Sequence, residues 1–220
     1  MSKPKKASDQ LFTTHDELLT TLDRIFKDSP WEDPRFYAQW CGQFFYFVAH
    51  ATRLLAASAA RLDLTNDPLH IRFLDHCQEE KHHEQLFLND LKALGYRIED
   101  LPEFPMTAQL YQSQYYLIDY KDPIALFGSI FYLEGMSLTS GPEVYERVKK
   151  AHGDAATTFL RVHVSEDMDH IEKAKAALRQ LSDRQLEIVE WSLKQTASIY
   201  EAIMKETLAT YHRLENKKAA

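Results

Sequence analysis

Apolar and polar positions along this chain follow the three-and-four spacing of amphipathic helices, and no segment shows the strict alternation of a strand series. One stretch departs from the amphipathic pattern. The run FGSIFYLEGMS, beginning at Phe127, is apolar nearly all round, as expected of a helix in the middle of a protein. Thr14 followed by Glu17, and Ser182 followed by Gln185, form capping boxes. Asp33-Pro34, Asp67-Pro68 and Asp122-Pro123 each place an acidic cap before a proline at the first helical position. Gly95 and Gly153 stand where helices should stop. These signals predict helices over 14–28, 34–62, 68–94, 106–118, 123–150, 154–180 and 183–214. Long helices with short loops predict an all-α, seven-helix bundle, one domain over 11–214 with polar tails at 1–10 and 215–220. The turn-rich stretch 96–105 is expected to rim an entrance.

Composition narrows the functional classes. Six glycines and eight prolines are too few for an all-β chain that turns every ten residues or so. A net charge of −7 leaves no basic field for nucleic acid, and the one basic cluster, Lys3 to Lys6, lies in the polar start. The longest apolar run, Phe44 to Ala49, is too short to span a bilayer, and the first ten residues lack the apolar core of a signal peptide. Cys41 and Cys77 make no disulfide framework. The expectation is a cytoplasmic protein without nucleic-acid or membrane partners.

Three segments carry chemistry. In the first, Glu80 and His83 form a Glu-x-x-His pair, predicted to project from one face of a helix that also carries His76 and Phe87. Glu79, Lys81 and His82 then fall on wetter faces. In the second, Glu134 sits in the apolar run, where an ionised carboxylate must be hydrogen-bonded, paired or bound to metal. Gly128 and Gly135 weaken that helix, which points to close packing or ligand access. In the third, His163, Asp167 and His170 stand at i, i+4 and i+7, a narrow stripe on one helix face. Each segment alone is also compatible with solvated or hydrogen-bonded side chains. Together they offer three histidines and three carboxylates, with no thiolate. That mix suits two iron or manganese ions, whereas one zinc would leave charged groups unused.

The same residues resemble a known family. Glu80-x-x-His83, the Tyr132-Leu133-Glu134-Gly135 segment and His163-x-x-x-Asp167-x-x-His170 are similar to the haem-oxygenase-like di-iron oxidases, over about residues 35–210. That family shares a seven-helix fold with haem oxygenases, TenA proteins and PqqC. The resemblance implies that Glu80, His83, Glu134, His163, Asp167 and His170 hold two Fe(II) ions. It further implies a homodimer that uses O2 to oxidise a small organic substrate: an amino acid, amine or fatty acid, by N-oxygenation, oxidative decarboxylation or carbon–carbon cleavage. Some members have a longer first interval, with the Glu seven positions before the His, and here that position is His76. The chain therefore resembles the short-interval subgroup, which includes alkene-forming fatty-acid decarboxylases. Leu133 stands where a self-sacrificing, p-aminobenzoate-forming branch has Tyr, so that activity is not implied.

Rival readings share the fold. A cofactor-free TenA-type enzyme would need a cysteine near the middle helix, and Cys41 and Cys77 lie in other helices. A haem enzyme would need an axial histidine near the N-terminus; His15, beside Thr14, reads instead as an exposed capping-region residue. His50 reads as a hydrogen-bonded core histidine. A non-enzymatic ligand-binding protein would not need the full six-residue set. The aromatic residues of 44–47 and 111–116 read mostly as core, with some available to line an apolar channel. No arginine or lysine is evidently placed for a substrate carboxylate.

Overall fold

The structure, a computed structural model, describes the backbone of residues 7–219 and the side chains of 7–164 and 171–216. Among the described residues there are ten α-helices and no strand. In chain order they are α1 (Ala7–Asp28), α2 (Pro34–Val48), α3 (Ala51–Arg61), α4 (Asp67–Glu79) and α5 (His83–Ala93). There follow α6 (Pro105–Tyr120), α7 (Leu126–Thr139), α8 (Gly141–His152), α9 (Thr158–Leu178) and α10 (Asp183–Ala219). The all-α bundle is as expected, but three of the expected helices are each divided in two. No helix among the described residues is long and apolar enough to cross a membrane.

The local signals set most boundaries. Asp33 caps α2 by accepting from the Arg35 amide at 2.9 Å, with Pro34 at the first position. Ser182 and Gln185 complete their capping box at the start of α10. Gly95 and Gly153 end α5 and α8 with φ of 81° and 82°, the left-handed region where glycine escapes the Cβ penalty. Other expectations are corrected. Thr14 does not open α1: the chain is already helical at Ala7, Ser8 and Leu11 are buried, and the Thr14 hydroxyl donates across to Glu190. At the other end α10 runs on through 215–219. The expected 34–62 helix breaks at Ala49-His50, where the His50 amide bonds back to Phe47 in a tighter turn and its ring stacks on Tyr111 at 3.9 Å.

The core is built around two helices buried on nearly every side. Residues 36–44 of α2 are buried without interruption. In α7 the buried set runs from Leu126 through Met136 and includes Glu134. Both α7 glycines are explained by close approach. A Cβ on Gly128 would lie 2.1 Å from the Val189 carbonyl oxygen of α10, and one on Gly135 would lie 2.2 Å from His15 Nε2 of α1. His15 is therefore buried, not exposed: Nε2 meets the Phe131 carbonyl at 3.1 Å, the ring stacks on Phe131, and burial lowers its pKa. The stretch 96–105 is stapled to α2, where Gln43 accepts from the Phe104 amide and the Thr107 hydroxyl; it rims no part of the apolar cavity described below.

Candidate metal centre

The expected continuous helix over 68–94 is interrupted where its chemistry lies. After Glu79 the backbone turns through Glu80, Lys81 and His82, and α5 begins at His83. His82, at φ 71°, is the one non-glycine with positive φ among the described residues. A left-handed residue costs about 1–2 kcal/mol, a strain of the kind that clusters at functional sites. The pair thus spans a bend, not a helix face, and the bend itself joins the two side chains: His83 Nδ1–H donates to Glu80 Oε2 at 3.0 Å. Lys81, His82 and Glu79 are exposed, as expected.

Three of the expected ligands converge. Glu80, His83 and His163 each offer a donor atom, and these atoms lie within 4.8 Å of one another. The two imidazoles meet edge to face with centroids 4.9 Å apart. His163 Nδ1 is 3.0 Å from the Phe159 carbonyl. A carbonyl only accepts, so the proton sits on Nδ1 and the Nε2 lone pair is left for another partner. Glu134 enters from α7, buried, with Oε1 3.6 Å from His76 Nε2. His76 in turn reaches Glu80 Oε1 at 3.3 Å, so it links the two carboxylates. Asp167 and His170 follow His163 within α9, and their side chains lie outside the described residues.

The electrostatics favour charge here. Burial alone would raise the Glu80 carboxyl. The hydrogen bonds from His76 and His83 and the electrostatic influence of the neighbouring imidazoles outweigh it and hold the group well below the usual carboxylate range.

Glu80, Glu134, His76 and His163 form one end of an apolar cavity of about 100 Å³, walled by Phe44, Leu55, Ile130 and Leu133 among others. Neither cysteine lines it. Cys41 is fully buried, and burial pushes its thiol well up; Cys77 points to the Thr52 carbonyl. His50, on Tyr111 and Tyr115, also lies elsewhere. A second, polar cavity of about 310 Å³ shares His76 and Glu134 as its wall and adds Arg72, Asp75, Glu79 and Lys173.

His76, expected on the Glu80 face, and Arg72, which the sequence did not single out, both line this second cavity. Both are one-turn neighbours on the face that leads to Glu80, and that i, i+4, i+8 spacing was the available signal. The Arg72 guanidinium lies over the Phe127 ring at 5.1 Å; burial lowers its pKa while Glu134 and Glu79 raise it.

Residues 38–200 match the sequence profile of the iron-containing redox enzymes, which is most of the chain. The chain belongs to that family. No curated protein matches it in sequence. Among solved structures it is similar to a domain of unknown function with a heme oxygenase-like fold from Shewanella denitrificans (TM-score 0.82, 17% identity, covering 93% of this chain and 94% of that one). It is also similar to a TenA homolog from Pseudomonas syringae pv. tomato (0.75, 12%, 94% and 98%). A third is a CADD-like protein of unknown function from Nostoc punctiforme (0.64, 14%, 88% and 96%). At these identities the likeness shows the fold, which is haem-oxygenase-like.

The residues of this family member fit an iron ion. Two imidazoles and a carboxylate bring donor atoms within 4.8 Å of one another, a second carboxylate, Glu134, lines the same cavity as Glu80 and His163, and neither cysteine lines it. Nitrogen and oxygen donors of that mix suit ferrous iron.

Proposed function

We propose that this chain is a non-haem di-iron oxidase or oxygenase that uses O2 to oxidise a small organic substrate with an apolar body. The observation that carries this is the convergence of Glu80, His83 and His163 beside a largely apolar cavity that Glu80 and His163 line. Two histidines and one carboxylate are the donor set of ferrous oxygenases that keep positions open for dioxygen. Glu80, His83, Glu134 and His163, with Asp167 and His170 from the same helix α9, would hold two Fe(II) ions. When bound, the iron supplies the electrons and open coordination positions for dioxygen activation.

The chain's own residues supply the rest. Phe44, Leu55, Ile130 and Leu133 bind and orient an apolar group and keep water from the reacting end. His76, between two carboxylates, holds a proton at Nε2 that is hydrogen-bonded to Glu80 and faces Glu134. Its position lets it accept or return that proton as the carboxylates change partners. Amino acids, amines and fatty acids are the substrate classes we propose, in a homodimer. The cofactor-free TenA-type alternative is less favoured because neither cysteine reaches the cavity.

The test is anaerobic ferrous titration followed by exposure to oxygen, with iron counted per chain. About two irons and oxygen consumption are expected in the wild type, with both lost in His170→Ala and Glu134→Ala. A wild-type chain that binds no iron and consumes no oxygen would overturn the proposal.

A further inference from the structure

Helix α5 meets α9 along one face in three successive contacts. His83 lies edge to face with His163. One turn on, Phe87 stacks on Phe159 at 3.9 Å, and Phe159 stacks on His163 at 3.9 Å. Two turns on from His83, fully buried Asp90 reaches the first turn of α9. Its Oδ1 accepts from the Thr158 amide at 2.7 Å and lies 2.6 Å from the Thr158 hydroxyl, and its Oδ2 accepts from the Phe159 amide at 3.1 Å. Thr157, the residue at the local cap position, makes no side-chain cap bond. The cap of α9 is therefore supplied by another helix.

We propose that Asp90 is a positioning residue for the metal ligands: by capping α9 from α5 it fixes the first turn of that helix, whose Phe159 carbonyl orients His163, and so presets the spacing of His83 and His163. The chain of contacts is continuous. Asp90 holds the Phe159 N–H, the Phe159 carbonyl accepts from His163 Nδ1–H, and that bond turns His163 Nε2 to the cluster. Asp90 and His83 share α5, so one short helix carries both a ligand and the group that sets its opposite number. An outer partner of this kind fixes the imidazole tautomer and ring orientation before any ion arrives. The inference rests on the reading of Glu80, His83 and His163 as iron ligands.

The decisive variant is Asp90→Asn in the full chain, which keeps one acceptor oxygen but turns an N–H group toward the Phe159 amide; Asp90→Ala is the larger perturbation. Two readouts are taken on folded protein. The first is nitrogen NMR of metal-free, histidine-labelled protein. His163 is expected as a single Nδ1–H tautomer in the wild type and as an average of the two tautomers in Asp90→Asn. The second is anaerobic Co(II) titration, in which affinity is expected to fall about 10-fold. Asp33→Ala, which removes the cap of α2, should leave both readouts unchanged. An unchanged His163 tautomer in Asp90→Asn would overturn the positioning role, whatever happens to stability. So would an equal shift in Asp33→Ala. A wild-type protein that binds no metal would instead overturn the metal reading, and the tautomer would still decide the role of Asp90.

Discussion

Asp90 and Glu80 are both carboxylates withdrawn from bulk water at the junction of α5 with α9, yet their oxygens end on opposite kinds of group. Asp90 accepts from two backbone amides and a hydroxyl, donors that stay where the helix puts them. Glu80 accepts from two imidazoles and shares one of them with a second carboxylate, Glu134. Backbone donors saturate an acid and make it part of the scaffold. Imidazoles are themselves ligands and titrate near neutrality, so an acid held by them stays available to exchange partners. A carboxylate's neighbours, more than its burial, separate the structural acid from the functional one.

The widest expected separation is in the size of the stability change. Asp90→Ala leaves two buried amides at the start of α9 without their acceptor and should cost about 3 kcal/mol. Glu134→Gln keeps the shape of a side chain that faces the His76 imidazole and should shift the metal-free protein by no more than about 1 kcal/mol. Urea unfolding of metal-free protein measures both. The contrast fails if the two variants shift the midpoint by equal amounts. Added metal should raise the midpoint of the wild type and have little effect on Glu134→Gln.

The helix that carries Glu134 offers a second comparison, between its two glycines. The Cβ of Gly128→Ala would meet a backbone oxygen of α10, which cannot step aside without moving the helix, and about 3 kcal/mol of destabilisation is expected. The Cβ of Gly135→Ala would meet the far end of the His15 side chain and a Leu19 methyl. Those can shift, so about 2 kcal/mol is expected, together with loss of the His15–Phe131 hydrogen bond. Equal costs would mean that α7 is not seated on α10 by backbone contact. Calorimetric melting of the two variants side by side decides it.

The sequence made the ligand-bearing segments legible because helical spacing and buried-charge cost are local arguments. Glu80, His83 and His163 do converge, and Glu134 is buried beside them. Asp167 and His170 lie outside the described side chains. The break at His82 had no local signal, since a left-handed turn normally advertises itself with glycine or asparagine, and neither is present at 80–82. Asp90 was invisible for a different reason. Its capping partners are about seventy residues away, and cap rules read only the residues that flank a helix. The threonine beside His15 suggests a helix start, whereas the chain is already helical at Ala7 and turns the ring inward. Local chemistry was readable, and the contacts that aim it were not.

The smallest effect expected concerns an acid of the scaffold kind at the edge of the molecule. Asp33 accepts from the Arg35 side chain, the Arg35 amide and the Tyr211 hydroxyl, and these hold its carboxyl at about 2, below its ordinary 3.8, against burial that would raise it. A folded pKa below the unfolded one means the ionised form favours the native state. The contribution is complete above about pH 4 and is lost as pH falls toward about 2. Because the pair is partly solvated, about 1 kcal/mol is expected rather than the full value of the shift. Glu80 is depressed in the same direction, so the acid limb of the wild type contains both groups. Comparing the wild type with Asp33→Asn isolates the first: the variant should be less stable at pH 6, and the gap should close by about pH 2. A gap that stays constant across that range would show that Asp33 acts through its cap geometry alone, and the acid sensitivity of the protein would then belong to the imidazole-held carboxylates.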